Sequence, residues 1–267
     1  MTADTTALAE HRPQAIPNGP VIELAHVSVD LPVYSQSSRL LRTKMLGLAV
    51  GGRLSSGGSR VIVVRALEDV SFEVWHGDRI GLLGHNGSGK STLLKVLAGI
   101  FQPTSGSVRL GVRVTPLLDV NLGVEDDMTG LEIIRLGCML RGILPDEVPA
   151  IVEDITSFTE LGNFLTLPIR TYSAGMRARL MFAIATSHAP EALAIDEGIG
   201  AGDAKFMEKA ARRTEKMLSR ASILFLASHS DDMQAKFCNK GLVLRTGRME
   251  FFGSIDQAIA RYNHGNY

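Results

Sequence analysis

Gly84-His85-Asn86-Gly87-Ser88-Gly89-Lys90-Ser91 follows a short apolar run, 79–83, and precedes Leu93, Leu94 and Leu97 at helical spacing. The pattern GxxxxGK[ST] between a strand and a helix has a physical reason. Glycines let backbone N–H groups curl around an anion, and the helix start adds the positive end of its dipole. Lys90 supplies a point charge for the β- and γ-phosphates of a nucleotide, and Ser91 a hydroxyl ligand for Mg²⁺. Gly84, Asn86, Gly87, Ser88, Gly89, Lys90, Ser91 and Thr92 are therefore the candidate phosphate contacts. A glycine-rich turn that binds nothing does not account for strand, spacing, lysine and hydroxyl all agreeing.

A second constellation ends the apolar run 192–195 with two carboxylates, Asp196 and Glu197. In an open α/β sheet, ligands sit at the carboxyl ends of strands, where the glycine loop also falls. Asp196 is then placed to hold the Mg²⁺ shell, and Glu197 to polarise the water that attacks the γ-phosphate. His229 follows the next apolar run, SILFLAS (222–228), and can reach the γ-phosphate as a neutral donor or acceptor. A third stretch, YSAGMRAR (172–179), opens a helix with a Ser-small-Gly step. On these residues alone, an ordinary capped helix and a phosphate-binding helix start both remain open.

The elements that must position these groups are visible as patterns. Residues 21–31 alternate as a strand, and strand signals resume across 61–75. From 119 to 187 the pattern is helical, in three runs: MTGLEIIRLGCMLRGI, PDEVPAIVEDITSFTEL and SAGMRARLMFAIATS. A helix over 203–220 separates the strands 192–196 and 222–228. Residues 241–253 read as a hairpin around Thr246-Gly247, and SIDQAIARY as a closing helix. Strand–loop–helix units with a helical insertion predict an α/β fold with a mostly parallel sheet. Residues 35–60 stand apart, Ser/Gly-rich at the ends and basic-apolar in the middle.

The 267 residues leave room for one large domain or two small ones. Lys+Arg and Asp+Glu are both 28, so a net charge of zero gives no global pull toward nucleic acid. No run approaches the 18 or more apolar residues of a membrane span, and the polar start lacks the features of a signal peptide. The cytoplasm is the expected compartment, with residues 1–20 as a flexible leader. Cys138 and Cys238 have no CxxC neighbour and read as buried free thiols.

In this order the motifs resemble the ATP-binding cassette (ABC) ATPases, over nearly all of residues 21–253. The resemblance implies ATP and Mg²⁺ as cofactors and a P-loop NTPase (RecA-like) fold. That fold has a mostly parallel sheet, an antiparallel β part and a helical subdomain. It divides a single domain, 21–267, into a core over about 21–118 and 188–253, a helical subdomain over 119–187, and a C-terminal helix over 254–263. YSAGM stands where the family has its LSGGQ signature, with Tyr172 for Leu, Ala174 for the first Gly and Met176 for Gln. Ser173 and Gly175 are kept; in the family this helix start closes over the γ-phosphate held by the other subunit of a dimer. Asp203 fits the aspartate that crosses the dimer interface, and a plain N-cap role is compatible with that.

Two positions depart from the family's pattern. Its glutamine after the phosphate-side strand is replaced by Asp119, with Asn121 as a second candidate. A carboxylate there can bind Mg²⁺ or its water, yet it adds negative charge beside the triphosphate. The aromatic that stacks on adenine is displaced: Leu31 occupies its place and Tyr34 is the nearest ring, with stacking and simple packing both open.

PIRTYSAGMRARLMFAIAT, IDEGIGAGDAKF and LRTGRMEFFGSIDQAIARY are similar to one branch, the ATPases of polysaccharide exporters. The resemblance implies a lipid-linked O-antigen, capsule, teichoic-acid or galactan chain as cargo and no nucleic acid partner. It also implies a homodimer, peripheral on the cytoplasmic face of the inner membrane. A separate polytopic channel subunit is expected to dock near the helical insertion. Residues 39–53 can touch that subunit or acidic headgroups, or be a solvated loop. The sugar-binding β-sandwich that some members carry after the cassette is expected to be absent, since the chain ends at Tyr267. The competing reading is an ATPase subunit for another cargo, although importers mostly keep LSGGQ and the glutamine.

Overall fold

The computed structural model describes residues 19–33, 54–55, 62–117, 124–188, 190–196 and 204–265. Among the described residues, ten strands form two sheets. A four-stranded antiparallel sheet has the order β2-β3-β1-β5, from β1 (Ile22–Val33), β2 (Leu54–Ser55), β3 (Ile62–Val74) and β5 (Ser105–Leu110). A six-stranded sheet has the order β10-β9-β4-β8-β7-β6, from β4 (Arg79–Leu83), β6 (Val114–Pro116), β7 (Ala192–Ile195), β8 (Ile223–Ala227), β9 (Lys240–Arg245) and β10 (Arg248–Ser254). All its pairings are parallel except the β9–β10 hairpin. The expected mostly parallel sheet with an antiparallel part is therefore present.

The central strands are apolar between their charged ends because both faces are covered there. Ile80 and Leu82 on β4, Phe225 and Ala227 on β8, and Leu242 and Leu244 on β9 join one core. That core also takes the antiparallel sheet and the leucines of α1 (Lys90–Leu97). The alternate residues Leu83, Leu224, Leu226 and Val243 pack into a second core on the other face. It includes side chains from α5 (Ala204–Arg220), α6 (Asp231–Phe237) and α7 (Ile255–His264). A side-chain period of two, buried on both faces, makes one-residue register slips costly.

A third core lies in the helical stretch, among α2 (Gly130–Leu140), α3 (Val148–Thr159) and α4 (Ala174–Thr186). Thr129 and Glu132 make a reciprocal capping box at the head of α2. The two N–H and O–H donors of Thr129 hold the Glu132 carboxyl below its ordinary value. The sequence reading left out four of these elements: β2, β5, β6 and α6. It also set β1 two residues short of its end at Val33.

Candidate nucleotide-binding site

β4 lies between β8 and β9 and delivers the chain at Gly84 to the carboxyl edge of the parallel sheet. Gly84, Gly87 and Gly89 have φ of +150°, +77° and +113°, conformations that favour glycine. A Cβ at Gly84 would collide with the Leu244 carbonyl oxygen, so the loop must run hard against β9 there. Ser88 N–H donates to His85 O at 3.0 Å and closes the loop as a turn. Ser88 itself is 5% exposed, and its hydroxyl has no hydrogen-bond partner among the described residues.

Gly89 is the N-cap of α1 and offers no side chain to the first N–H groups of that helix. At α2, α4 and α6 a hydroxyl takes one of those groups, from Thr129, Ser173 and Ser230, whereas α3 and α7 also start without a side-chain cap. Donors at a helix start with no capping side chain make a site suited to an anion. Lys90 Nζ donates to Gly84 O and, at 3.2 Å, to His85 O, so the ammonium arches back over the same loop. Ser91 is exposed in the first turn. Phosphate oxygens, loop amides and a lysine are complementary in charge and in hydrogen-bonding sense.

The other expected groups fall along the same edge. Asp196 directly follows β7, whose last residue, Ile195, pairs with Leu226 of β8. On the other side of β8, Leu82 pairs with Ala227. Asp196, the Ser228–His229 segment and Gly84 therefore leave three neighbouring strands at the same edge of the sheet, within about two residues of one another in register. Asp196 is half-buried and His229 exposed. Ser173 and Gly175 belong to a different layer, at the head of α4. Ser173 Oγ accepts from Met176 N–H at 3.2 Å, and Ser173, Ala174 and Gly175 are all exposed. Tyr172, the ring that replaces leucine, donates its hydroxyl to Phe164 O at 2.7 Å, and burial raises its pKa. Arg177 pairs with Asp126 at 3.0 Å and ties the start of α4 to the segment before α2. Tyr34, Asp119, Asn121, Glu197 and Asp203 lie outside the described residues.

Sequence reasoning missed the props of the loop. The β9–β10 turn has Thr246 and Gly247 at φ +44° and +86°, the twist a two-residue hairpin needs. Gly247 N–H donates to Ser88 O at 2.8 Å, and Gly247 O accepts from Glu68 N–H at 2.8 Å. That links the loop to the hairpin and to β3. His85 also packs on the ring of Tyr262 from α7, with centroids 5.6 Å apart. At the opposite end of β4, Arg79 donates to Leu218 O, Ala221 O and Phe237 O at 2.7, 2.9 and 2.6 Å. One guanidinium thereby satisfies the carboxyl ends of α5 and α6. No local pattern points to these partners, which are far away in sequence.

Fold and site together define a nucleotide-binding α/β cassette built around a phosphate loop. A model of the family described as "ABC transporter" matches residues 67–200. The chain belongs to the ABC transporter family, whose cassettes are ATPases. It is 40% identical over 222 residues to the O-antigen export system ATP-binding protein RfbE of Yersinia enterocolitica, covering 83% of this chain and 93% of that protein. It is 34% identical over 197 residues to the teichoic acids export ATP-binding protein TagH of Bacillus cereus, covering 74% of this chain and 36% of that longer protein. A solved ATP-binding subunit of an ABC transporter superposes with a TM-score of 0.64 at 20% identity, covering 92% of this chain and 95% of that one; this likeness shows the fold.

Proposed function

We propose that the chain is the ATP-hydrolysing subunit of an exporter that moves a lipid-linked polysaccharide across the cytoplasmic membrane. The observation that carries this reading is the 40% identity to an O-antigen export ATP-binding protein over 93% of that protein's length. The phosphate loop and the carboxylate at the end of β7 support the chemistry. No helix among the described residues is long and apolar enough to cross a membrane. In this reading the subunit works from the cytoplasmic face, against a separate polytopic channel subunit.

In this reading the loop amides and the start of α1 wrap the β- and γ-phosphates. Lys90 exchanges its two carbonyl contacts for phosphate oxygens. Ser91 and Asp196 offer hydroxyl and carboxylate oxygens, donors suited to Mg²⁺, which takes few protein ligands and keeps phosphate and water as the rest. Bound Mg²⁺ neutralises charge that develops on the transferring phosphoryl group. Glu197 accepts a proton from the attacking water, and His229 bonds the γ-phosphate from the β8 side. Asp119 holds the metal shell or its water, and Tyr34 lies against the adenine.

Two copies close with ATP between them. Ser173 and Gly175 of one copy, exposed at the head of α4, complete the phosphate shell of the other, and Asp203 crosses the interface. Closure supplies binding free energy, and hydrolysis makes reopening directional. The helical subdomain, about 119–187, carries that movement to the channel subunit.

Reconstitution with the membrane protein encoded beside this chain, in vesicles loaded with lipid-linked glycan, tests the assignment. Translocation should need ATP and disappear in Lys90→Ala. Uptake of a small solute in place of glycan export would point to the alternative cargo class and refute this reading.

A further inference from the structure

Gln234 on α6 is a polar side chain only 1% exposed. Its Nε2 donates to Ser228 O at 2.6 Å and, in a longer contact, to Leu82 O at 3.4 Å. Those carbonyls belong to the ends of adjacent strands. β4 and β8 pair in parallel as far as Leu82 with Ala227, and the register stops there. Beyond that point β4 turns into the phosphate loop and β8 into Ser228 and His229. The Gln234 amide bridges the two strands where the backbone ladder gives out.

Its orientation is set by chemistry. Both partners are acceptors, so only the NH₂ end can face them; the flipped amide would set oxygen against oxygen. The amide oxygen is left buried with no hydrogen-bond partner among the described residues. It lies against Gly81, where a Cβ would come within 2.6 Å of Oε1. The partnerless oxygen offsets part of what the two donated bonds contribute; leucine would remove that cost but leave the Ser228 carbonyl without its donor. Whatever the balance in stability, the amide holds two strand ends at a fixed separation. His229 is bracketed by the same contacts. Ser228 Oγ accepts from Ser230 N–H at 3.1 Å, and Gln234 N–H donates to Ser230 O at 3.1 Å.

We infer that Gln234 is a positioning residue for ATP hydrolysis: it fixes the Ser228–His229 peptide relative to the strand that carries the phosphate loop. The inference rests on the reading of His229 as a γ-phosphate contact. Gln234 touches no nucleotide and acts through the His229 backbone.

The test is a double-mutant cycle on the full chain, with Gln234→Leu, His229→Ala and the pair, measured by phosphate release and thermal unfolding. Gln234→Leu should remain folded at the assay temperature and lower kcat roughly tenfold, as a small misplacement of a reacting group does, with KM for ATP within about twofold. In the His229→Ala background the leucine should add no further loss. An unchanged kcat in Gln234→Leu, a kcat that falls only where the variant has begun to unfold, or losses that multiply in the pair would overturn the inference. If His229→Ala is inactive while Gln234→Leu is fully active, the reading of His229 stands and only the role of Gln234 falls. If His229→Ala keeps full activity, both fall.

Discussion

Gly84 and Cys238 mark the two kinds of constraint that single residues carry here. At Gly84 the constraint is backbone: φ is +150° and a Cβ would meet the Leu244 carbonyl. Gly84→Ala should therefore lower both stability and nucleotide affinity; normal ATP binding with an unchanged Tm would argue that the loop can shift off β9. At Cys238 the constraint is burial, which pushes the thiol up to about 12 from an ordinary value near 9.0. Cys138 is likewise buried and raised by desolvation. Both thiols should resist alkylation at pH 8 in the folded protein and react once it is unfolded by denaturant, since the thiolate is the reactive form. The loop proposed to hold phosphate was legible in the sequence because its residues are contiguous, eight from Gly84 to Ser91. Gln234 was not, because nothing beside it reveals that it grips Leu82, 152 residues away.

Among the elements, the longer and strongly apolar ones could be read directly, while short or mixed ones could not. β4 and the hairpin around Thr246-Gly247 match expectation, and α5 begins one residue later than expected, at Ala204. β6 has three residues and β5, SGSVRL, is mostly exposed, so neither offers the apolar run that announces a strand. α6 has seven residues, too few to show helical periodicity, and depends on the Ser230 cap and its burial against β4 and α7. Arg79 explains how α5 and α6 end where they do. Arg79→Met should remove three charge-assisted bonds and cost roughly 2–4 kcal/mol in denaturant unfolding. A loss below about 0.5 kcal/mol would mean that water replaces the guanidinium at both helix ends.

At the scale of the whole molecule, the sheet edge gathers the phosphate loop, Asp196 and the His229 turn. The Ser173 helix start is exposed on the helical layer. That separation is what the proposed two-copy arrangement needs, in which each copy would lend Ser173 to the other's phosphates. Glu197→Gln, which preserves shape and removes the base, should trap an ATP-dependent dimer visible by size exclusion, whereas the same variant without nucleotide should not dimerise. The sequence suggested this arrangement only through family resemblance, since no single chain contains both halves of such a site. The cargo, too, rests on relatives and not on geometry.

The central claim is that ATP is hydrolysed at the edge formed by the phosphate loop and the end of β7. Steady-state phosphate release by the full chain measures it most directly. Lys90→Ala should abolish release, and Glu197→Gln should lower it by roughly 10²–10⁴ while ATP still binds. Full activity in either variant would contradict the account.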